Sequence, residues 1–223
     1  MRVMKSAAFT IIYNDIIMLE LWLSYYQRYF DTLVVLGLGT KKEYFAYIQL
    51  RSEQIPFTFH QLATNPSEKY SRLSQFNEII DVIKEWQQRL LTIHKWVLYS
   101  NCDEFVVADP RKYKDLRDFM GRYKAEKTYC EGYDVYQAKG EKAIDYTKPY
   151  LSQRKYWFKN TNYNKPLLSR VPLRWSEGCH KEVTMTDEES KAIKNTGLFL
   201  IHLKYSDLKS TKRDLLASAG SID

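Results

Sequence analysis

Glycine, proline and cysteine are scarce in this 223-residue sequence, which contains 8 Gly, 6 Pro and 3 Cys. So little glycine and proline excludes a collagen-like repeat, a flexible linker and a low-complexity tail. Cys102, Cys130 and Cys179 are odd in number and widely spaced, and none belongs to a CxxC pair. This pattern indicates neither a disulfide framework nor a zinc site built from cysteine pairs. It is typical of a reducing compartment, so we expect a cytoplasmic protein.

Long apolar runs are also missing. Apolar stretches near the N-terminus are interrupted by Asn14, Asp15 or Glu20, which leaves them well short of the ~20 residues that a membrane-spanning helix needs. The first nine residues carry charges but no extended apolar core of the kind found in signal peptides. The sequence therefore predicts a soluble chain, for which peripheral membrane association stays open.

Aromatic residues and positive charge are what this sequence has in quantity. It contains 18 Tyr, 10 Phe and 5 Trp, and its net charge is +7. Hydrophobic residues make up 44% and charged residues 27%, which is enough apolar material for a folded core. The excess of positive charge favours an anionic partner. Composition alone leaves three classes of anionic partner open, namely nucleic acid, a membrane surface and a phosphorylated small molecule.

Apolar runs and helical patterns alternate along the first half of the chain. We predict strands at 7–13, 32–38, 56–61 and 94–100, and helices at 16–30, 41–53 and 70–93. Continuous apolar strands separated by helices predict an α/β fold with a mostly parallel central sheet, helices on both faces and a single domain. Ligands bind such sheets outside the carboxyl ends of the strands. The second half is less regular, with a helix predicted at 113–123, strands at 128–136, 152–158 and 198–203, and a helix from 206.

The most informative polar residues follow the fourth predicted strand. Asn101, Asp103 and Glu104 come directly after the apolar run of this strand. On an extended segment, residues two apart point the same way, so Asn101 and Asp103 are predicted to share a hard cation such as Mg²⁺ or Mn²⁺. The alternative is an acidic turn that ends the strand and binds nothing.

The segment Asn101-Cys-Asp-Glu-Phe105 resembles the DxDEF signature of GT-A fold glycosyltransferases, in their family-2-like and family-92-like group. Three further segments are similar to elements of the same group and occur in the same order. They are 13–26 (Tyr-Asn-Asp followed by Leu-Glu-Leu-Trp-Leu-Ser-Tyr-Tyr), 175–180 (Trp-Ser-Glu-Gly-Cys-His) and 200–205 (Leu-Ile-His-Leu-Lys-Tyr). Together these segments span nearly the whole chain.

The resemblance implies a GT-A (Rossmann-like) domain over 1–223, with a nucleotide-sugar half at about 1–110, an acceptor half at about 111–205 and a C-terminal helix at about 206–223. It implies metal-assisted, inverting transfer of a sugar from a nucleotide-diphosphate sugar to a glycan, lipid-linked glycan or other hydroxyl acceptor. The implied cofactor is Mn²⁺ or Mg²⁺, bound by Asp103, Asn101 and His202. Nucleotide-sugar binding is assigned to Asn14, Asp15, Asn101 and Asp103. Catalytic roles are assigned to Glu177, His180 and Glu104.

The sequence departs from the group's pattern at three places. Asn101 stands where the group has the first Asp of DxD, and Asp15 stands where Glu is usual. Residues 36–42 (Leu-Gly-Leu-Gly-Thr-Lys-Lys) replace an acidic, serine-rich loop that helps to hold the nucleotide. An uncharged Asn101 is a weaker ligand than aspartate, so we expect weaker metal dependence, unless Glu104 compensates.

Several roles stay open at this level. Glu177, Asp134 and Asp187 are candidate bases for the acceptor hydroxyl, and Glu177 is favoured because it adjoins the Gly-Cys-His element. As a lone histidine at a strand end, His202 is more typical of a structural residue, and only the resemblance favours a metal ligand.

Two other functions also stay open. One is a non-catalytic relative that binds a glycan or nucleotide sugar. The other is single-stranded RNA binding through the aromatic and basic segment 154–159. This segment fits equally well an edge strand with Tyr156 and Phe158 facing the core. The sequence contains no RNA-binding motif, so we expect no nucleic-acid partner.

Overall fold

A computed structural model describes residues 5–12, 15–38, 44–62, 72–146, 148–176, 179–183, 186 and 196–207. Within these ranges the secondary structure comprises strands and helices that alternate through the first half of the chain. The helices are α1 (Ile16–Tyr26), α2 (Phe45–Gln54), α3 (Arg72–Leu91) and α4 (Leu116–Arg122). The strands are β1 (Ser6–Ile12), β2 (Thr32–Leu38), β3 (Thr58–Leu62), β4 (Trp96–Tyr99), β5 (Glu104–Ala108), β6 (Cys130–Tyr136), β7 (Tyr156–Lys159), β8 (Leu168–Ser169) and β9 (Leu198–His202).

The first sheet is the mostly parallel α/β sheet that the sequence predicts. Its strand order is β3-β2-β1-β4-β8. The first four of these strands run parallel, and β8 pairs antiparallel with β4. Strands β1, β2 and β4 are almost entirely buried, which explains why each is a continuous apolar run. The carboxyl ends of β1 and β4 therefore lie next to each other.

A second sheet, which the sequence analysis did not separate from the first, has the order β5-β9-β6-β7. Strand β9 runs antiparallel to β5 and parallel to β6, and β7 pairs antiparallel with β6. Strand β5 follows β4 after a tight turn in which the backbone N–H of Glu104 donates to the carbonyl of Asn101 at 3.0 Å. Residues 101–103 therefore form a turn and not the extended segment that we expected. The chain uses this turn to pass from one sheet to the other.

Aromatic side chains of α1 connect the two sheets. The indole N–H of Trp22 donates to the Ser100 hydroxyl at 2.9 Å, just after β4. The Tyr26 hydroxyl donates to the Glu104 carbonyl at 3.2 Å and accepts from the Val106 N–H at 2.8 Å, both in β5. The Tyr25 hydroxyl donates to the Val106 carbonyl at 2.9 Å. Trp22 and Tyr26 of this helix are buried, and so is Phe30, four residues beyond its end.

Other predicted elements agree less closely with the structure or lie outside its described part. Helix α1 ends at Tyr26, four residues before the predicted end at Phe30. Strand β7 is an edge strand, but Tyr156 and Phe158 are exposed and do not face the core. Nearly all of the helix predicted from 206, and the 39–42 part of the loop after β2, lie outside the described residues. The division into a nucleotide-sugar half and an acceptor half stays a prediction.

The three cysteines are free thiols. Among the described residues, no helix has the length and apolar character needed to cross a membrane.

Candidate active site

Three buried polar side chains lie side by side across the second sheet. Glu104 of β5 is opposite His202 of β9, and His202 is in turn opposite Asp134 of β6. Residues in register on neighbouring strands project from the same face of a sheet. All three residues are at most 3% exposed. Ionisable groups are rarely buried to this degree without partners, and here each has one.

His202 is held between two carboxylates. Its Nδ1 donates to Asp134 Oδ1 at 2.7 Å, and its Nε2 lies 3.3 Å from Asp103 Oδ2. Burial alone would lower the pKa of His202, but the hydrogen bonds to Asp103 and Asp134 outweigh it and raise that pKa to about 9. Burial opposes ionisation of the two carboxylates as well, yet the bonds from His202 lower the pKa of both Asp103 and Asp134. In the metal-free chain, a protonated His202 therefore bridges two ionised aspartates at neutral pH.

Glu104 forms a buried ion pair beside this cluster. Its Oε1 lies 2.6 Å from Lys165 Nζ, and both side chains are at most 2% exposed. The same Oε1 accepts from Asn101 Nδ2 at 3.2 Å, and the Asn101 amide oxygen accepts from the Tyr99 hydroxyl at 2.7 Å. The charge of Glu104 is thus balanced inside the protein, and both ends of the Asn101 amide are engaged. Their roles in catalysis and metal binding stay predictions.

Tyr163 packs against the ring of His202. Its ring stacks on His202 with the centroids 4.1 Å apart and the planes at 28°, and Lys165 Nζ lies 5.0 Å from the centre of the same ring. Gly132 of β6 makes this approach possible, because a Cβ at that position would lie 2.3 Å from the Cβ of Tyr163. Sequence reasoning missed the roles of Gly132, Tyr163 and Lys165 here. The one sequence feature that could have indicated a buried charge here is Lys165, which directly precedes the apolar run Pro166-Leu-Leu.

His180 stands at the rim of the site. Its Nδ1 donates to the Asn162 carbonyl at 2.7 Å, and its ring lies edge-on to Tyr163 with the centroids 5.9 Å apart. Desolvation and the charge of Lys165 lower the pKa of His180. The imidazole is therefore neutral at pH 7, and because Nδ1 carries the proton, Nε2 keeps its lone pair.

Asp15 lies at the carboxyl end of β1, as predicted. Its carboxylate caps α1 by accepting from the Met18 N–H at 3.1 Å. Burial raises the pKa of the Cys102 thiol, and the nearby charges of Asp103 and Asp15 raise it further. Asp15 is therefore close to the turn after β4. Three other predicted residues, Asn14, Glu177 and Asp187, lie outside the described part of the chain.

Asp103 and His202 fit a pair of ligands for one divalent cation. Two atoms that each lie about 2.1 Å from a cation at roughly right angles are about 3 Å apart, which is close to the 3.3 Å between Asp103 Oδ2 and His202 Nε2. Asp134 occupies the second position of a carboxylate–histidine–metal arrangement, which fixes the ring through Nδ1. No cluster of three His, Cys, Asp or Glu ligands occurs among the described residues, so other ligands would have to come from elsewhere.

Comparison with known proteins adds three remote likenesses. No protein-family model matches the chain, and no curated protein matches it. Among solved structures, the chain is similar to the glycosyltransferase GlyE of Streptococcus pneumoniae TIGR4, with 13% identity, a TM-score of 0.32 and coverage of 60% of this chain and 30% of that one. It is also similar to S. aureus TarS, with 11% identity, a TM-score of 0.33 and coverage of 64% and 23%.

The third likeness is to residues 1–349 of S. aureus TarS, with 12% identity, a TM-score of 0.39 and coverage of 92% of this chain and 59% of that one. The chain thus spans less than two thirds of the length of each of these proteins. What the structure itself establishes is a mixed α/β protein in which a buried histidine, His202, lies between Asp134, which is also buried, and Asp103, which is partly exposed.

Proposed function

We propose that the chain is a glycosyltransferase that moves a sugar from a nucleotide-diphosphate sugar to a hydroxyl acceptor with the help of Mn²⁺ or Mg²⁺. The observation that carries this proposal is the position of Asp103 against His202, with Asp134 behind the histidine. Asp103 lies in the turn after β4, at the sheet edge where α/β proteins bind their ligands.

Asp103 and His202 would hold the cation, and Asp134 would keep His202 Nδ1 protonated so that Nε2 faces the metal. A bound cation supplies charge that stabilises the diphosphate as it leaves. Diphosphate oxygens and water would complete its coordination. Asp15 would lie near the nucleotide, because it stands at the carboxyl end of β1 next to the turn after β4.

The acceptor hydroxyl must lose a proton during an inverting transfer. Glu177 is the base that the sequence favours. Among the described residues, His180 is better suited than Asp134, because its Nε2 keeps a lone pair at neutral pH. Asp134 already accepts from His202 and Asn160, and its lowered pKa makes it a weak base.

A thermal-shift and donor-hydrolysis panel tests the proposal. UDP-, GDP-, CMP- and dTDP-sugars are compared with and without Mn²⁺, using the unaltered chain, Asp103→Asn and the matched control Asp81→Asn. Asp81 is an exposed acid on α3. We expect one nucleotide sugar to stabilise the chain in the presence of Mn²⁺ and to be hydrolysed slowly. Both effects should disappear in Asp103→Asn and persist in Asp81→Asn.

Two other outcomes would contradict the proposal that the chain is an enzyme. Stabilisation by a nucleotide sugar without metal and without turnover identifies a non-catalytic binding protein instead. No response to any nucleotide, together with salt-sensitive binding of single-stranded RNA, supports the nucleic-acid function.

A further inference from the structure

An aromatic cleft adjoins the His202 cluster on the same face of the second sheet. It has a volume of about 530 Å³ and is lined by Tyr136, Ala138, Tyr156 and Phe158. Tyr156 and Phe158 belong to β7, which stands at the edge of the sheet. Their side chains are 49% and 55% exposed. Exposed apolar side chains that form one contiguous patch are typical of ligand-binding grooves and interaction sites.

Tyr136 connects the cleft to the proposed catalytic site. Phe158 is in register with Asp134, and Tyr156 is in register with Tyr136, so these side chains share a face with His202. The Tyr136 hydroxyl lies 3.4 Å from Asp134 Oδ2. The Tyr205 ring stacks on Tyr136 at 5.2 Å and meets His202 edge-on at 6.1 Å. An unbroken path of rings therefore leads from the cleft to the histidine.

We infer that this cleft binds a neutral pyranose unit of the acceptor; the inference rests on the proposed function, because it takes the acceptor to be a saccharide. A pyranose ring presents C–H groups on its faces and hydroxyls on its rim. The negative faces of aromatic rings attract polarised C–H groups, and the described residues that line the cleft carry no charge. Asn160 is only half-buried and its amide donates to Asp134 at 2.6 Å, so it is a polar partner for the hydroxyls at one end.

The arrangement suits a saccharide better than a membrane. Side chains alternate between the two faces of a strand, so Trp157 lies on the face opposite to Tyr156 and Phe158. A bilayer that approached from one side would meet only part of this aromatic set. A cleft that is mostly apolar, with a few polar groups at one end, is the usual form of a small-ligand site.

Binding of oligosaccharides tests the inference directly. The probes are an immobilised oligosaccharide array and, in solution, saturation-transfer NMR with cellohexaose and chitohexaose. The variants are Tyr156→Ala and Phe158→Ala, with Trp157→Ala as the matched control on the same strand. Loss of one stacking ring should weaken saccharide binding about tenfold, which corresponds to about 1.4 kcal/mol. Trp157→Ala should bind as the unaltered chain does, and Phe158→Tyr should restore most of the affinity.

The result that overturns the inference is an unaltered chain that binds no saccharide, or equal binding by all variants. It is also overturned if the two cleft substitutions instead abolish only self-association, RNA binding, or binding to phosphatidylcholine–phosphatidylglycerol vesicles. The thermal shift by nucleotide sugars separates this outcome from failure of the proposed function. Saccharide binding without any nucleotide response would support the cleft as a saccharide site and contradict the proposed enzyme activity. A nucleotide response without saccharide binding would contradict only the proposal for the cleft.

Discussion

The absence of a side chain at Gly132 is what allows Tyr163 to approach His202 closely. The Cβ of an alanine there would lie 2.3 Å from Tyr163 Cβ and 2.7 Å from the Asn160 carbonyl oxygen. Neither obstacle is the far end of a flexible side chain, so the 160–163 segment would have to move. We expect Gly132→Ala to lower the free energy of unfolding by about 1–3 kcal/mol and to separate Tyr163 from His202.

Chemical denaturation measures the effect, and Gly121→Ala is the control. No atom lies within 4 Å of a Cβ at position 121, which is inside α4. Alanine there should raise helix stability by up to about 1 kcal/mol. Equal effects of the two substitutions would show that the contact between Gly132 and Tyr163 has no energetic weight.

The Lys165–Glu104 pair is the second residue-scale feature that can be tested. Both charges are buried, so removal of one leaves the other without compensation. We expect Lys165→Met to destabilise the chain by about 3–5 kcal/mol, and the double substitution Lys165→Met with Glu104→Gln to recover a large part of that loss. A double-mutant cycle by urea unfolding provides the measurement. If the double variant is no more stable than Lys165→Met, the two charges do not depend on each other.

The titration of His202 should be visible in the stability of the metal-free chain. Its pKa rises from an ordinary 6.5 to about 9 on folding. The folded state therefore binds the proton more tightly, and the resulting stability is fully present below about pH 6.5 and is lost as the pH rises through 9. Asp103, Asp134 and the Tyr163 hydroxyl are the polar groups that contact this ring.

Denaturation of the unaltered chain and of His202→Gln, between pH 6 and pH 10 in EDTA, measures this stability. The difference between the two proteins should shrink as the solution becomes more alkaline. A constant difference would mean that His202 stays neutral between its two aspartates.

At the scale of secondary-structure elements, the sequence is most informative where strands are buried on both faces. Strand β2 was predicted with its observed bounds, because a run such as Leu33 to Leu36 has no polar residue to suggest an alternative. Strand β5 was missed, since only four residues separate it from β4 and the whole segment reads as one apolar run with polar residues inserted. Local patterns give no sign that the chain changes sheets there.

The residues of the candidate site also differ in whether the sequence could predict them. The resemblance named Asp103 and His202 together, and the structure places them 3.3 Å apart. Lys165 and Tyr163 could not be found in this way, because their positions depend on how the 160–165 segment crosses β6. That crossing is a tertiary contact with no periodic signal in the sequence.

Helix α1 supplies the prediction at this scale. The Tyr26 hydroxyl satisfies the Glu104 carbonyl and the Val106 N–H in β5. Both backbone groups are buried, so loss of the hydroxyl leaves them without a partner. We expect Tyr26→Phe to lower the free energy of unfolding by about 1–3 kcal/mol. Tyr29→Phe is the control, since the Tyr29 hydroxyl makes neither of these bonds. Equal urea midpoints for the two variants would show that α1 does not support β5 through this hydroxyl.

For the whole molecule, the aromatic content divides into three uses. Trp22, Tyr25 and Tyr26 connect the sheets through their polar atoms. Tyr163 and Tyr205 surround His202, and the β7 aromatics form the exposed cleft. The net charge of +7 suits a phosphorylated donor, while the cleft residues that the structure describes are uncharged. The uncharged cleft thus suits a neutral part of the acceptor better than it suits a diphosphate.

Metal binding by the whole chain should release a proton. His202 has to lose its proton before Nε2 can bind a cation, and the folded pKa of about 9 means that the proton is present at pH 7. Titration calorimetry with Mn²⁺ and the stabilising nucleotide, in phosphate-free buffers of different ionisation enthalpy, measures the number of protons released. We expect close to one proton per metal at pH 7 and fewer as the pH passes 9, with an affinity that increases over that range. Binding of Mn²⁺ at pH 7 with no proton release would show that the metal does not use His202, and would leave Asp103 without its partner ligand.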